Sequence, residues 1–452
     1  MGVDTSERFI TRAEELKEYF QRVAKPASER MIGLECEGVG VFEDTGKAIP
    51  YHGDRGVLAI LTEMSQKFGW QPIREGEFII ALQKAQARIT LEPGGQIELS
   101  SAPHPSLHAL AEEFKDYWRQ IKSISEPMGI SFLGIGMQPV SRVEEIGWVP
   151  KGRYRIMSRY LKKKGSLSHY MMKLTATVQA AVDFADERDA LNKLKLAFGL
   201  SPLVTAMFAN SPLYEAKPNG FTTMRYYIWH YTDSDRCGQI QEIFSAPDPG
   251  FQTYIDYVLQ VPMLFIQRHQ EWIEMDGIPF GEYLKAGYKG YRATFEDWEL
   301  HLSTIFTDAR LKTYVELRSA DHPRPDLALS VPALWKGVLY DDSARAAAWE
   351  LIKDWSWEER VKSGWDVCYQ GLRAKVRHQL FLDLARELIQ ISLEGLKRQR
   401  VFNESEQDER VYLYPLQDFI SRYKASPGEV LLERWNGDWN QDLQKLIEYS
   451  RY

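Results

Sequence analysis

The segment Ile89–Ser100 sets Glu92, Gln96 and Glu98 around a Pro93-Gly94-Gly95 turn inside a run of strand-forming residues. If Gln96 to Ser100 is extended, Gln96 and Glu98 share one face, because strand side chains alternate. Polar groups on a strand face in apolar surroundings need partners. A metal ion, a phosphate or a cationic substrate would serve; a solvated hairpin would need none. Three other segments repeat the pattern. Glu35 and Glu37 flank Cys36 in the stretch 31–42, so the carboxylates point one way and Cys36 the other. Carboxylates that close repel each other and are tolerated beside a cation, and oxygen ligands suit magnesium. In 175–184, Thr175, Thr177, Gln179 and Asp183 alternate with Ala176, Val178, Ala180, Val182 and Phe184. In 314–318, Tyr314, Glu316 and Arg318 share a parity. Such an acid–base pair is a structural ion pair or, beside a nucleotide, a holder of metal and phosphate, since guanidinium meets phosphate bidentately.

One antiparallel sheet with a polar concave face would gather Glu35, Glu37, Gln96, Glu98, Gln179, Glu316 and Arg318. The periodicities predict elements that fit such a sheet. Strands are expected at 31–42, 130–136, 172–184 and 310–319, with a strand pair over 77–100. Helices are expected at 6–24, 56–69, 104–128 and 187–209. Beyond about 330 the pattern turns mostly helical, with helices at 342–355 and 376–399, an exposed loop at 403–409 and one or two helices in the final stretch. Neither an internal repeat nor a Pro-rich linker interrupts the chain. The expectation is an α+β fold in one catalytic domain, 1–452: an N-terminal helix (1–30), a sheet core (31–330) and a mostly helical portion (331–452).

Composition narrows the partners. The net charge of −7 and the lack of a long basic patch argue against nucleic acid. Lys162-Lys163-Lys164 reads as a solvated loop. Cys36, Cys237 and Cys368 form no C-x-x-C pair, which suits a reducing cytoplasm, and Cys36 reads as a packed strand residue. Without an apolar leader or a long apolar stretch, no membrane partner is expected. The phosphate loop, the H-E-x-x-H helix and the G-x-S-x-G elbow are all missing. Gly134-Ile135-Gly136 reads as a tight turn.

The chain resembles the glutamate–cysteine ligases of plants and proteobacteria. The likeness is carried by Glu35-x-Glu37, Leu91–Ser100, Phe132–Pro139 and Pro150-Lys151-Gly152-Arg153-Tyr154. It continues through Phe208–Pro212, Lys217–Gly220, Met224-Arg225 with Ile228-Trp229, and Glu316-x-Arg318-x-x-Asp321. The resemblance implies a curved, mostly antiparallel sheet with a concave active-site face, flanked by helices, similar to the catalytic fold of glutamine synthetase. It implies joining of the γ-carboxyl of L-glutamate to the amine of L-cysteine through γ-glutamyl phosphate, with ATP and Mg2+, as the first step to glutathione. By motif match, Glu35, Glu37, Glu98 and Glu316 are expected as metal ligands and Glu92 is a weaker candidate. Gln179 and Gln96 are expected on the cofactor side. Arg153 and Arg225 are expected to hold substrate carboxylates and Arg318 to meet the transferred phosphate. Partners would be small molecules, with the chain a monomer or homodimer. One departure stands out: the plant motif Glu-His-Glu-Lys-Phe reads Glu35-Cys36-Glu37-Gly38-Val39 here. The redox disulfides of plant members are not placed on these three cysteines. A same-fold ligase with another amine acceptor, or a guanidino-type phosphotransferase, is the alternative.

Overall fold

The strands that carry these residues meet in one nine-stranded sheet of the computed structural model, which describes residues 8–452. They are β1 (Ile32–Phe42), β2 (Gln71–Glu75), β3 (Phe78–Lys84), β4 (Ala87–Leu91), β5 (Ile97–Ser100), β6 (Ile130–Leu133), β7 (Val178–Val182), β8 (Ala309–Leu311) and β9 (Val315–Leu317). The order across the sheet is β8-β9-β7-β1-β5-β4-β3-β2, and β6 joins the far half of β1. Every pair is antiparallel. The fold is therefore mixed helix and antiparallel sheet, as the sequence implies.

β1 is the spine. It pairs with β7 over residues 32–36, with β5 over 35–38 and with β6 over 39–42. Its back presents Ile32, Leu34 and Cys36 to the core, all buried, while Glu35 on the front is half-exposed. The helix Leu107–Ser125 packs behind it, started by Ser106, whose hydroxyl accepts from the Ala109 N–H. Close approach is possible because residue 38 is glycine: a Cβ there would lie 2.7 Å from Trp118 Cη2. The lysine of the plant motif is replaced here by a seat for Trp118. Behind β7 lies the helix Ser330–Leu339, itself backed by Phe381–Gln399. One apolar cluster runs from Ile10 to Val430 through these layers.

Several elements differ from expectation. The strand expected over 172–184 is a helix, Ser168–Leu174, followed by β7. Thr175 closes that helix by donating its hydroxyl to the Met171 carbonyl at 2.7 Å, and pairing starts only at Val178. The strand expected over 310–319 is a hairpin, β8 and β9, reversed at 312–314, where the Lys312 N–H bonds the Tyr314 carbonyl. The pair expected over 77–100 is three strands, and β2, with Pro72 inside it, was not foreseen. Lys162–Lys164 form the last turn of the helix Gly152–Lys164, where positive charge suits the helix C-terminus. The final stretch holds three helices: Tyr414–Tyr423, Pro427–Asn436 and Leu443–Ser450. The first helix is Glu14–Arg22, and positions 6 and 7 of the expected one lie outside the described residues. Among the described residues, no helix is long and apolar enough to cross a membrane.

Candidate functional site

The front of the sheet holds a row of three acids. Glu37 on β1 lies opposite Glu98 on β5, and Glu35 lies opposite both Ser100 on β5 and Gln179 on β7. The Glu37 N–H donates to the Thr177 carbonyl, and the Glu37 carbonyl accepts from His322, so both main-chain groups point away from β5. Glu37–Glu98 is thus a non-hydrogen-bonded pair, the geometry that brings opposed side chains closest. Like charges so placed are unfavourable. Burial, then Glu316 and Glu98, push the Glu35 carboxyl up to about 8. Burial, then Glu92 and Glu98, push Glu37 well above the carboxylate range, against the pull of Arg225 and Arg318. Burial and Glu92 likewise raise Glu98, whose Oε1 accepts from the Ser100 hydroxyl at 2.7 Å.

A basic set faces this row. Arg310, Lys312 and Arg318 approach Glu316 at 2.5, 3.3 and 3.1 Å. They outweigh its burial and hold the carboxyl far below the usual range. Glu316, expected as a metal ligand, is thus already paired with three cations and fixes their positions. Arg318 also donates Nη1 to Gln179 Oε1 at 2.7 Å, while its buried Nε has no partner among the described residues. Gln179 thus holds an arginine. Arg225 donates Nη2 to the Arg318 carbonyl at 3.1 Å and lies 3.8 Å from Asp321. Asp321 is the hub behind several of the resembling motifs. It accepts from the Asn210 N–H and from the hydroxyls of Ser211 and Thr223, and Gly136 leaves it room.

At the far side, Arg153 and Lys151 start the helix Gly152–Lys164. Burial works against the Arg153 charge, but Tyr154, Glu92 and Glu98 outweigh it and raise its pKa. Lys151 is pushed down to about 7 by burial and Arg153, against Glu92, Glu98 and Glu75. Gln96 turns away from the row and donates Nε2 to the Thr175 carbonyl at 2.8 Å, leaving a buried Oε1 without a partner among the described residues. A Cβ on Gly94 would collide with the Lys173 carbonyl, so the turn packs against the chain itself. Arg310 and Lys312 were not singled out from sequence, and Lys151 and Tyr154 stood there only as parts of the motif around Arg153. For the first two the signal was there, since they alternate with the buried Ala309 and Leu311.

Two clefts open at the ends of this charged row. One, of about 780 Å3, is lined by Glu35, Ser100 and Lys312 beside Tyr19, Lys25 and Tyr314. The other, of about 570 Å3, is lined by Lys151, Tyr154, Trp148 and Glu75. Among the described residues, no group of three or more His, Cys, Asp or Glu side chains is drawn together tightly enough to close around a metal ion. Magnesium does not require one: it keeps several waters and takes one or two carboxylates with substrate phosphates. Buried carboxyls with raised pKa values and oxygen-only donors fit that mode.

The model of glutamate–cysteine ligase family 2 matches residues 31–448. The chain belongs to this family. A glutamate–cysteine ligase of Arabidopsis thaliana, named chloroplastic, is 38% identical over 442 residues, covering 97% of this chain and 83% of the relative. Glutamate–cysteine ligase B of Oryza sativa subsp. japonica, also named chloroplastic, is 37% identical, covering 97% and 87%. The crystal structure of a Francisella tularensis glutamate–cysteine ligase in complex with AMP superposes with a TM-score of 0.54 at 14% identity, covering 92% and 88%. That likeness is one of fold. The resemblance drawn from the motifs holds, and with it the ligase class. The cytoplasmic expectation does not: the curated relatives are named chloroplastic, and three free cysteines carry no compartment.

Proposed function

We propose that this chain ligates the γ-carboxyl of L-glutamate to the amine of L-cysteine at the expense of ATP. The observation that supports it is the row of half-exposed Glu35 and buried Glu37 and Glu98 beside two arginines, fixed on one sheet face between two clefts. A carboxylate is a poor acylating agent, so the γ-carboxylate first attacks the γ-phosphate of ATP, breaking the bond to the β-phosphate and releasing ADP. Arg318, held from one side by Glu316 and Gln179, turns its free Nε toward the transferring phosphoryl group. Arg225 and Arg153 hold substrate carboxylates. The cleft at Glu35 and Lys312 takes the nucleotide, with Tyr19 and Tyr314 as its apolar wall. Magnesium, held by Glu35, Glu37 and Glu98, would offset charge on the phosphates. The cysteine amine then attacks the γ-glutamyl phosphate and releases phosphate. A site closed to water protects that acyl phosphate. Cys36 takes no part: burial raises its thiol far above neutrality, and it lies on the back of β1.

The test is incubation with ATP, magnesium, glutamate and each amino acid in turn, read by product mass spectrometry and free phosphate. γ-Glutamylcysteine with stoichiometric phosphate is expected. A different amine consumed in preference, or ADP formed without free phosphate, would replace this reading.

A further inference from the structure

The place of Glu37 depends on a bond that strand pairing does not supply. β7 pairs with β1 only as far as Cys36, opposite Val178. Past that point the Glu37 N–H still reaches the Thr177 carbonyl at 3.0 Å, but no strand meets the Glu37 carbonyl on that side. His322 meets it instead, with Nδ1 at 2.6 Å. A carbonyl only accepts, so Nδ1 carries the hydrogen and the neutral ring leaves Nε2 as an acceptor. Both ring nitrogens face uncharged partners, the Glu37 carbonyl on one side and the Tyr452 hydroxyl and Cys36 thiol on the other, which suits a neutral ring. The Tyr452 hydroxyl, 2.7 Å from Nε2, is then the donor. Tyr452 is itself clamped. Its ring stacks on Trp118 at 3.6 Å and 9°, and its N–H donates to the Phe132 carbonyl at 3.1 Å. Cys36 Sγ lies 3.7 Å from its hydroxyl.

We propose that His322, fixed in one tautomer by Tyr452, is a positioning residue for Glu37 and so for divalent-cation binding at the acidic row. This rests on the reading of that row as the metal site. The adjacent residue, Asp321, holds Arg225 from the other side. One dipeptide therefore sets the spacing between the acids and an arginine.

The probe is Mn2+, counted by electron paramagnetic resonance on the full chain, alongside the KM of each amino acid. Tyr452→Phe keeps the ring and its stacking but removes the donor. His322→Asn keeps an N–H toward Glu37, and His322→Leu removes it. Loss of a group that orients a ligand weakens metal binding on the order of tenfold. That loss is expected in His322→Leu, with a smaller one in Tyr452→Phe, near wild-type binding in His322→Asn and unchanged KM for glutamate and cysteine. A merely structural role would lower the unfolding midpoint and leave Mn2+ affinity alone. Wild-type affinity in both Tyr452→Phe and His322→Leu overturns the proposal; if the leucine variant does not fold, the phenylalanine variant decides. Glu98→Gln separates the two layers. Wild-type Mn2+ binding there removes the acidic row as the metal site and this proposal with it. Weakened binding there, beside unaffected Tyr452 and His322 variants, removes only the positioning role.

Discussion

Glu35→Gln should make the metal-free protein more stable, not less. The Glu35 carboxyl is raised from 4.5 to about 8, first by burial and then by Glu316 and Glu98. Its folded pKa lies above the unfolded one. Between those values the folded chain holds a proton that the unfolded chain has released, so stability falls as pH rises through that window. At about 1.4 kcal/mol per pH unit, the cost by pH 7.5 has an upper bound of about 4 kcal/mol. Glu35 is half-exposed on the wide cleft, and water screens it, which brings the figure to about 1–2 kcal/mol. A glutamine removes that cost. The assay is urea unfolding in a chelator at pH 7.5 and pH 4.5, followed by the same curves with magnesium and ATP. The variant should unfold later than wild type at pH 7.5 and together with it at pH 4.5. Added magnesium and ATP should reverse the order, because only the wild type gains full binding energy. A variant less stable than wild type in chelator at pH 7.5 would refute the argument.

Glu316→Gln should act in the opposite sense. It leaves Arg310, Lys312 and Arg318 buried without their common partner, and urea unfolding should show a loss of about 3–5 kcal/mol at neutral pH; an unchanged midpoint would count against its role as an anchor. Arg225→Ala should raise the KM of an amino-acid substrate by about tenfold, the loss of a charge-assisted hydrogen bond or more. Unchanged constants for both glutamate and cysteine would remove Arg225 from substrate binding. Gly94→Ala forces a methyl group against the Lys173 carbonyl and should cost about 1–3 kcal/mol, checked by the same unfolding curves. His301 is pushed down to about 3, chiefly by burial, so the unfolded chain takes up a proton below pH 6.5 that the folded chain refuses. Stability should fall as pH drops from 6.5 toward 4, by up to about 3 kcal/mol from this group. His301→Gln should flatten that slope, and an equal slope in the variant would assign it elsewhere.

Strand parity was legible wherever one face is apolar. Glu35 and Glu37 against Cys36, and Glu316 with Arg318, needed only the alternation of side chains. What remained hidden was whatever depends on partners distant in the chain. The three cations around Glu316 lie close to it in sequence, but only the reversal at 312–314 folds Arg310 on β8 and Lys312 in the turn back onto it. Nothing near Gln96 says that its amide turns to Thr175. Glu92 was the weaker candidate because it precedes the turn, but that Glu37 and Glu98 stand directly opposite each other is visible only in the register. The hairpin at 312–314 escaped because Lys-Thr-Tyr carries no glycine or proline to mark a turn.

The sheet order has a consequence for how the chain reaches its native state. β1 is made early in the chain, yet its neighbours come from β5, β6 and β7, β7 in turn pairs with β9, and Glu37 is finally tied by His322 and Tyr452. Each step closes a longer loop than the last. Contacts of this kind are slow to form, since loop closure is costly until the contact rewards it. The acidic row is therefore complete only when Tyr452 has docked on His322. During synthesis, the protein can hold much of its sheet before it holds its catalytic geometry.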